Sequence, residues 1–429
     1  VTNGNELRVL IVAEHASAVF GGEAFLPLHY FRVLRARNIE AWLLCHGRVE
    51  SEMRREFPHD IDRLHFIPDL PAHRALWQLS RPFPVRLGSI TFGYASHLLT
   101  QLLQRRIVRE LVAKHHIDVV HEPIPVSPKQ PSAMYDVGAP VVIGPMNGGM
   151  EFPPGFRHMQ TTAERVSISA ARQVAAVLNR LIPGKPKAAA LLVANERTRR
   201  ALPPGLGAVP VIALVENGVD LTRFQRSQAL VPSQTGAVRF AFVGRLVDWK
   251  AVDVLLDAFA QARMSAPTIT LDVYGDGQDR AALQTQARTL GLDAVVHFHG
   301  FVAQEAVARG LSTADALVLP SLYECGGAVV LEAMAMGLPV IATRWGGPAD
   351  YLDEQCGVLI DITDRATLVR DLAAAVVYLA QNPERRLALG RAGQQKVITE
   401  YDWERKVDRM LVIYDEARNR HRPTRSAQH

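Results

Sequence analysis

The run from Tyr323 to Thr343 reads YECGGAVVLEAMAMGLPVIAT and directly follows the apolar segment ALVLP at 316–320. ALVLP has the length and composition of a buried strand, SLYECGG reads as a loop, AVVLEAMAMG as a helix and LPVIAT as a strand again. Gly337 closes the helix as a C-cap ahead of Pro339. Continuous apolar strands joined through helices belong to parallel sheets covered on both faces. Two carboxylates, Glu324 and Glu332, stand eight residues apart in this core-like stretch. So apolar a helix is a poor place for a merely solvated Glu332.

The same alternation extends in both directions. RVLIVA (8–13), EAWLLC (40–45), DVVH (118–121), PVVIG (140–144), ALLVAN (190–195) and PVIALVEN (210–217) form one series of strand-like runs. VRFAFVG (238–244), TITLDVYG (268–275), VVHFHG (295–300), ALVLP, LPVIAT and GVLID (357–361) form a second. Helical patterns such as VDVLLDAFAQA and DRAALQTQARTLG separate them. Two doubly wound α/β domains are expected, with the boundary in the polar segment 226–238. We place the domains at 1–225 and 236–400, with a last helix near 401–420 free to pack on either.

The chain has 429 residues, 48% apolar and 21% charged, with a formal net charge of +5. That length exceeds one hydrophobic core, and the mild charge does not argue for nucleic acid. Cys45, Cys325 and Cys356 lack metal-ligand spacing and fit free thiols in a reducing cytoplasm. VTNGNE leads straight into a strand, with no basic-then-apolar leader, and no apolar run reaches the roughly 18 residues of a membrane span. A cytoplasmic protein is the expectation.

Ligands of open α/β sheets bind beyond the carboxyl ends of the strands. The glycines before AVVLEAMAMG let a ligand approach the backbone, and the first helical amides lack intrahelical partners. Such a helix start suits a diphosphate. A carboxylate on each side of it suits hydroxyls at both ends of one ligand, a ribose and a sugar. Glu324, Glu332, Gly326 and Gly327 are therefore donor-site candidates.

The stretch resembles the glutamate-x7-glutamate motif of family 4 retaining glycosyltransferases, also described as glycosyl transferases group 1. The resemblance extends through VENGVDLTRF (215–224), FVGRLVDWKAVDVLLDAF (242–259), DVYGDGQDRAAL (272–283), VVHFHGFV (295–302) and ADALVLPS (314–321). It implies the GT-B fold, two Rossmann-like domains facing across a cleft, with a C-terminal helix crossing back to the first. It implies that Arg245 and Lys250 clamp the donor diphosphate, Glu324 contacts the transferred sugar and Glu332 the ribose, and the Gly326 and Gly327 amides meet the phosphates. Gly244, Val302 and Cys325 fall beside these positions on the donor side. More loosely, FGGEAF (20–25) is similar to the family's glycine-pair loop and DVVHEP (118–123) to the segment with an active-site histidine. His121, Gly21 and Gly22 would then face the sugar and acceptor. Asn147, Gly148 and Gly149, in the long loop GPMNGGMEFPPGF (144–156), are acceptor-side candidates. Cys325-Gly326-Gly327 stands where many relatives carry G-F-G or S-P, and Ala251 replaces a frequent glycine.

The implied activity is transfer of a sugar, with retention, from a UDP- or GDP-linked donor to an acceptor hydroxyl, in polysaccharide, glycolipid or other glycoconjugate synthesis. The alternatives are a nucleotide-sugar epimerase or hydrolase on the same fold, or a silent nucleotide-sugar-binding subunit. No cofactor or metal is expected, because Arg245, Lys250 and the helix start supply fixed positive charge. Asp60-Ile61-Asp62 reads as a solvated loop, and Asp276 of the G-D-G segment as the cap of the next helix. The span 157–187 carries arginines at 157, 165, 172 and 180 among apolar residues. It reads as a surface helix packed on its own domain or as a peripheral membrane element.

Overall fold

Short runs of β-branched and apolar residues, bounded by turn residues, pair into two sheets whose strands are all parallel. The computed structural model describes residues 7–18, 22–81, 92–224 and 237–421. The chain divides into one unit of residues 1–149, 160–216 and 406–429 and a second of 150–159 and 217–405.

In the first unit the strands are β1 (Arg8–Val12), β2 (Glu40–His46), β3 (Leu64–Ile67), β4 (Val119–Glu122), β5 (Val141–Met146), β6 (Ala190–Val193) and β7 (Val211–Ala213). Their order is β3-β2-β1-β4-β5-β6-β7. In the second unit they are β8 (Val238–Val243), β9 (Ile269–Tyr274), β10 (Val296–Gly300), β11 (Ala316–Leu319), β12 (Val340–Thr343) and β13 (Gly357–Ile360), in the order β10-β9-β8-β11-β12-β13. Central strands are buried on both faces: Leu10, Val120, Ile143 and Leu191 in one core, Phe240, Phe242, Leu317 and Ile341 in the other. This is the doubly wound α/β architecture expected, and it explains why these strands read as continuous apolar runs. The chain order reverses between β1 and β4, and between β8 and β11. Such switch points open a crevice beyond the strand ends. In the second unit the loops leaving β8 and β11 are those of Arg245–Lys250 and Glu324–Gly327.

The structure departs from the sequence reading in four places. Strand β3 was not expected: its four residues, LHFI, carry a histidine and are too short to show a period. Residues 150–159 group with the second unit rather than the first. The expected helix across 157–187 is shorter, because Arg157 sits in the 3₁₀ turn Pro154–Met159 and the helix runs Thr162–Leu181. Thr161 and Glu164 form a capping box at its start, and Ile182 precedes Pro183, which disfavours another helical turn. The units divide at 216/217, so residues 217–224, expected in the first domain, also group with the second unit, and the polar segment expected as the boundary falls almost entirely on 225–236, outside the described residues.

Candidate functional site

The loop after β8 is positioned by close backbone contact. A Cβ on Gly275, whose φ is +138°, would lie 1.9 Å from the Gly244 carbonyl oxygen, and one on Gly277 2.2 Å from that of Leu246. The Leu246 amide donates to the Asp276 carbonyl at 2.9 Å. The G-D-G segment is thus a backbone seat for Arg245. Asp276 does not cap the next helix, Arg280–Thr289, as expected. Its side chain accepts from the Gly277 amide at 2.8 Å and pairs with Arg280 at 2.8 Å, four residues on. Arg245 is exposed, with its guanidinium 5.7 Å from the Trp249 ring. Ala251, which closes the turn, holds φ +51° and ψ 38°, a left-handed conformation that explains the glycine often found there.

The loop after β11 is joined to this turn. The Leu322 amide donates to the Trp249 carbonyl at 2.8 Å, and the Lys250 ammonium pairs with the Glu324 carboxylate. Both side chains are largely buried, at 14% and 15% exposure, so the pair is shielded from water and stronger than a surface pair. Ser321 Oγ lies 3.4 Å from the same carboxylate oxygen. Gly327, at φ +72°, is the N-cap of the helix Ala328–Ala335, whose first amides have no intrahelical acceptor.

Glu332 lies on that helix, about a turn and a half beyond its start. The residue keeps part of its surface exposed, but its carboxyl end is desolvated, and burial pushes its pKa up to about 7 against the milder opposing effects of Gln304 and Arg223. Gln304 Nε2 donates to Glu332 at 3.2 Å, and Arg223 donates to Gln304 Oε1 at 2.5 Å. This relay escaped the sequence reading. Arg223 stood inside VENGVDLTRF, but nothing in the pattern pointed to Gln304. A second omission is Trp345-Gly346-Gly347. The Gly347 amide donates to the Glu324 carbonyl at 2.8 Å, and a Cβ on Gly346 would lie 2.0 Å from that oxygen. A glycine pair in the loop leaving the strand LPVIAT, two residues beyond its end, was the available signal. Residues 150–159 lie on the same loop: Trp345 Nε1 donates to the Glu151 carbonyl at 2.9 Å, and the Phe152 and Tyr323 rings are 5.2 Å apart. Cys325 and Val302 are half-buried in the loops after β11 and β10.

Residues 226–396 match the model of the family described as "Glycosyl transferases group 1". That match lies within the second unit, which is similar to this family.

A glycogen synthase of Mycobacterium tuberculosis is 31% identical over 221 residues, 51% of this chain and 51% of its own length. A D-inositol 3-phosphate glycosyltransferase of Saccharomonospora viridis is 33% identical over 225 residues, 49% of this chain and 51% of its own. The chain thus spans about half the length of the curated relatives it matches. Solved structures share the fold. A glycosyltransferase from Rickettsia africae aligns at a TM-score of 0.65 and 13% identity, covering 96% of this chain and 99% of that one. Anabaena HepE, solved in complex with UDP, aligns at 0.61 and 16% identity, covering 95% and 100%.

In the first unit His121 is fully buried on β4. Its Nε2 donates to the Gly144 carbonyl at 2.7 Å, and its Nδ1 accepts from the Tyr414 hydroxyl at 2.7 Å. Burial pushes its pKa down to about 4, so the ring is neutral and both nitrogens are engaged. Asn147 is also buried, and its Oδ1 lies 3.2 Å from Arg197 Nη2 and 3.4 Å from Thr198 Oγ1. The Gly148 amide donates to Thr198 Oγ1 at 3.0 Å, and Gly149 adopts φ +71°. These three residues tie the loop after β5 to the helix Glu196–Ala201. Gly22 begins the helix Gly22–Ala36 with open space where a Cβ would stand, and Gly21 lies outside the described residues.

Asp60 is paired with Arg35 at 2.8 Å, as suits a structural loop acid rather than a metal ligand. Among the described residues, His46, Asp69 and His73 converge closely enough to hold an ion. Their chemistry does not fit one. His46 Nδ1 accepts from the Arg48 amide and His73 Nδ1 from the Leu70 amide, each at 3.2 Å, while Arg48 holds Asp69 at 2.9 Å.

Proposed function

We propose that this chain transfers a sugar from a UDP- or GDP-linked donor to an acceptor hydroxyl, with retention of configuration and without a metal ion. The observation that carries the reading is the Lys250–Glu324 pair beside the start of the helix Ala328–Ala335, with Glu332 desolvated further along it. The lysine has three donors, so it can hold Glu324 and a phosphate oxygen together. Arg245 and the amides from Gly326 onward supply the remaining positive charge around a diphosphate. Glu332, once ionised, accepts from the two ribose hydroxyls, and Glu324 accepts from the sugar.

The bond between the anomeric carbon and the phosphate oxygen breaks with its electron pair leaving on the nucleoside diphosphate. The acceptor oxygen bonds the same carbon on the same face, and its proton passes to the departing phosphate. The charge that develops on the leaving group meets Arg245, Lys250 and the helix start, which do the work a divalent ion does elsewhere. His121, neutral and engaged at both nitrogens, enters as a positioning residue that holds the Gly144 carbonyl. Recognition of the acceptor, in polysaccharide or glycolipid assembly, is assigned to the first unit. The free thiols Cys45, Cys325 and Cys356 support a cytoplasmic setting.

The test is NMR of donor turnover in excess chelator, with a panel of UDP- and GDP-sugars and simple glycoside acceptors. Product with the donor's anomeric configuration is expected. An inverted product, or activity restored only by magnesium, would contradict the reading. Donor isomerised or hydrolysed equally well without acceptor would assign the chain to the epimerase or hydrolase class.

A further inference from the structure

The helix Thr162–Leu181 has more apolar surface than its own unit covers. Ala175 and Asn179 face inward, and Asn179 Nδ2 donates to the Lys129 carbonyl at 2.8 Å. On the outer side Val166, Val174, Val177 and Leu181 are 63%, 54%, 52% and 71% exposed. With exposed Ala170 they follow spacings of four, four, three and four residues, which is one continuous stripe along a helix. Arg165 and Arg172, seven residues apart, flank the stripe, and Arg180 lies on the same border; all three are exposed. The helix has one acid, Glu164, and its carboxylate is bound to the Thr161 amide in the capping box.

A second observation lies on the same side of the sheet. The connections β3 to β4 and β5 to β6 run in the same direction across the strand order, so right-handed crossovers put their helices on one face. The helices Pro71–Ser80 and Tyr94–His115 of the first connection leave Trp77 61% and Leu102 58% exposed, and the Arg81 guanidinium stands 5.3 Å from the Trp77 ring. Tryptophan is enriched at membrane–water interfaces.

We propose that this face of the first unit docks on an anionic lipid surface, with the helix Thr162–Leu181 lying in the plane of the headgroups. Three exposed arginines on the stripe's border make it complementary to an anionic surface. An apolar row bordered by arginines along one helix, with an exposed tryptophan on the same side of the sheet, is the pattern of a helix lying in a membrane interface. The inference stands on this helix face and does not depend on the donor-site reading.

The test is flotation of the whole chain with phosphatidylcholine vesicles, with and without phosphatidylglycerol, at low and high salt. Binding only to the phosphatidylglycerol vesicles is expected, weakening as salt screens the arginines. The triple variant Arg165→Glu, Arg172→Glu, Arg180→Glu should lower the partition coefficient about a hundredfold or more. The variant Val166→Ser, Val174→Ser, Val177→Ser should lose the binding that persists at high salt, with its thermal midpoint unchanged. Absence of wild-type flotation on phosphatidylglycerol, or equal flotation of both variants, would overturn the proposal. So would a wild-type dimer that the serine variant dissociates, which would assign the stripe to a second copy of the chain.

Discussion

Replacing Glu332 by glutamine should stabilise the second unit and weaken its hold on nucleotide, with a pH dependence that separates the two effects. The folded carboxyl has a pKa of about 7 against an ordinary value of 4.5, with burial as the first cause. A gap of that size corresponds to about 3 kcal/mol. The sign follows from proton counting. Between pH 4.5 and 7 the unfolded chain has released this proton and the folded chain has kept it, so folding stability falls as pH rises through that window and levels off above it. Glutamine does not titrate, and its amide oxygen can still accept from Gln304. The variant should therefore match wild type near pH 4 and exceed it by about 1–3 kcal/mol at pH 8. Urea unfolding followed by tryptophan fluorescence reads this directly, because Trp249, Trp345 and Trp403 all lie in the second unit. In the same variant nucleoside diphosphate affinity at pH 8 should fall by about 1–3 kcal/mol, as a charged acceptor of two ribose hydroxyls becomes a neutral one. Wild-type affinity should itself decline from pH 8 to pH 6. Parallel stability curves for the two proteins across pH 4–8 would refute the desolvated carboxyl. Unchanged affinity would remove Glu332 from the ribose.

Glu324→Gln should cut turnover severely while nucleoside diphosphate affinity stays close to wild type, measured by steady-state kinetics and calorimetry; turnover near wild type would release Glu324 from the sugar. Gly275→Ala should destabilise the second unit by about 3 kcal/mol or more, because its Cβ meets backbone at 1.9 Å in a left-handed conformation. A thermal midpoint within about 2 °C of wild type would show that the Gly244–Leu246 turn moves freely to admit it.

Much of the fold was legible because the central strands of both sheets are buried on both faces, which turns them into apolar runs visible in the chain. LHFI of β3 was not legible: with its alternating histidine it resembles the polar loop DIDR before it. Lys250 and Glu324 meet because they occupy the loops leaving β8 and β11, on either side of the strand-order reversal. The relay Arg223–Gln304–Glu332 was not legible, since it joins three loops and helices through side chains with no shared period. The same holds for residues 150–159, whose place beside Tyr323 and Trp345 depends on tertiary contacts. The identity of Asn147 was visible, but not its use as a bracket holding Arg197 and Thr198. His121 shows how a strand-end histidine can be fully hydrogen-bonded, through a tyrosine almost three hundred residues away that no local pattern announces.

The central claim is that the turn Arg245–Lys250 and the helix start at Gly327 hold a nucleoside diphosphate. Calorimetric titration of UDP and GDP into the chain in chelator tests it most directly, beside the Arg245→Ala and Lys250→Ala variants. The account predicts saturable binding of one of the two nucleotides, weakened at least tenfold in each variant while folding is retained. Binding of neither nucleotide, or equal binding by wild type and both variants, would contradict it.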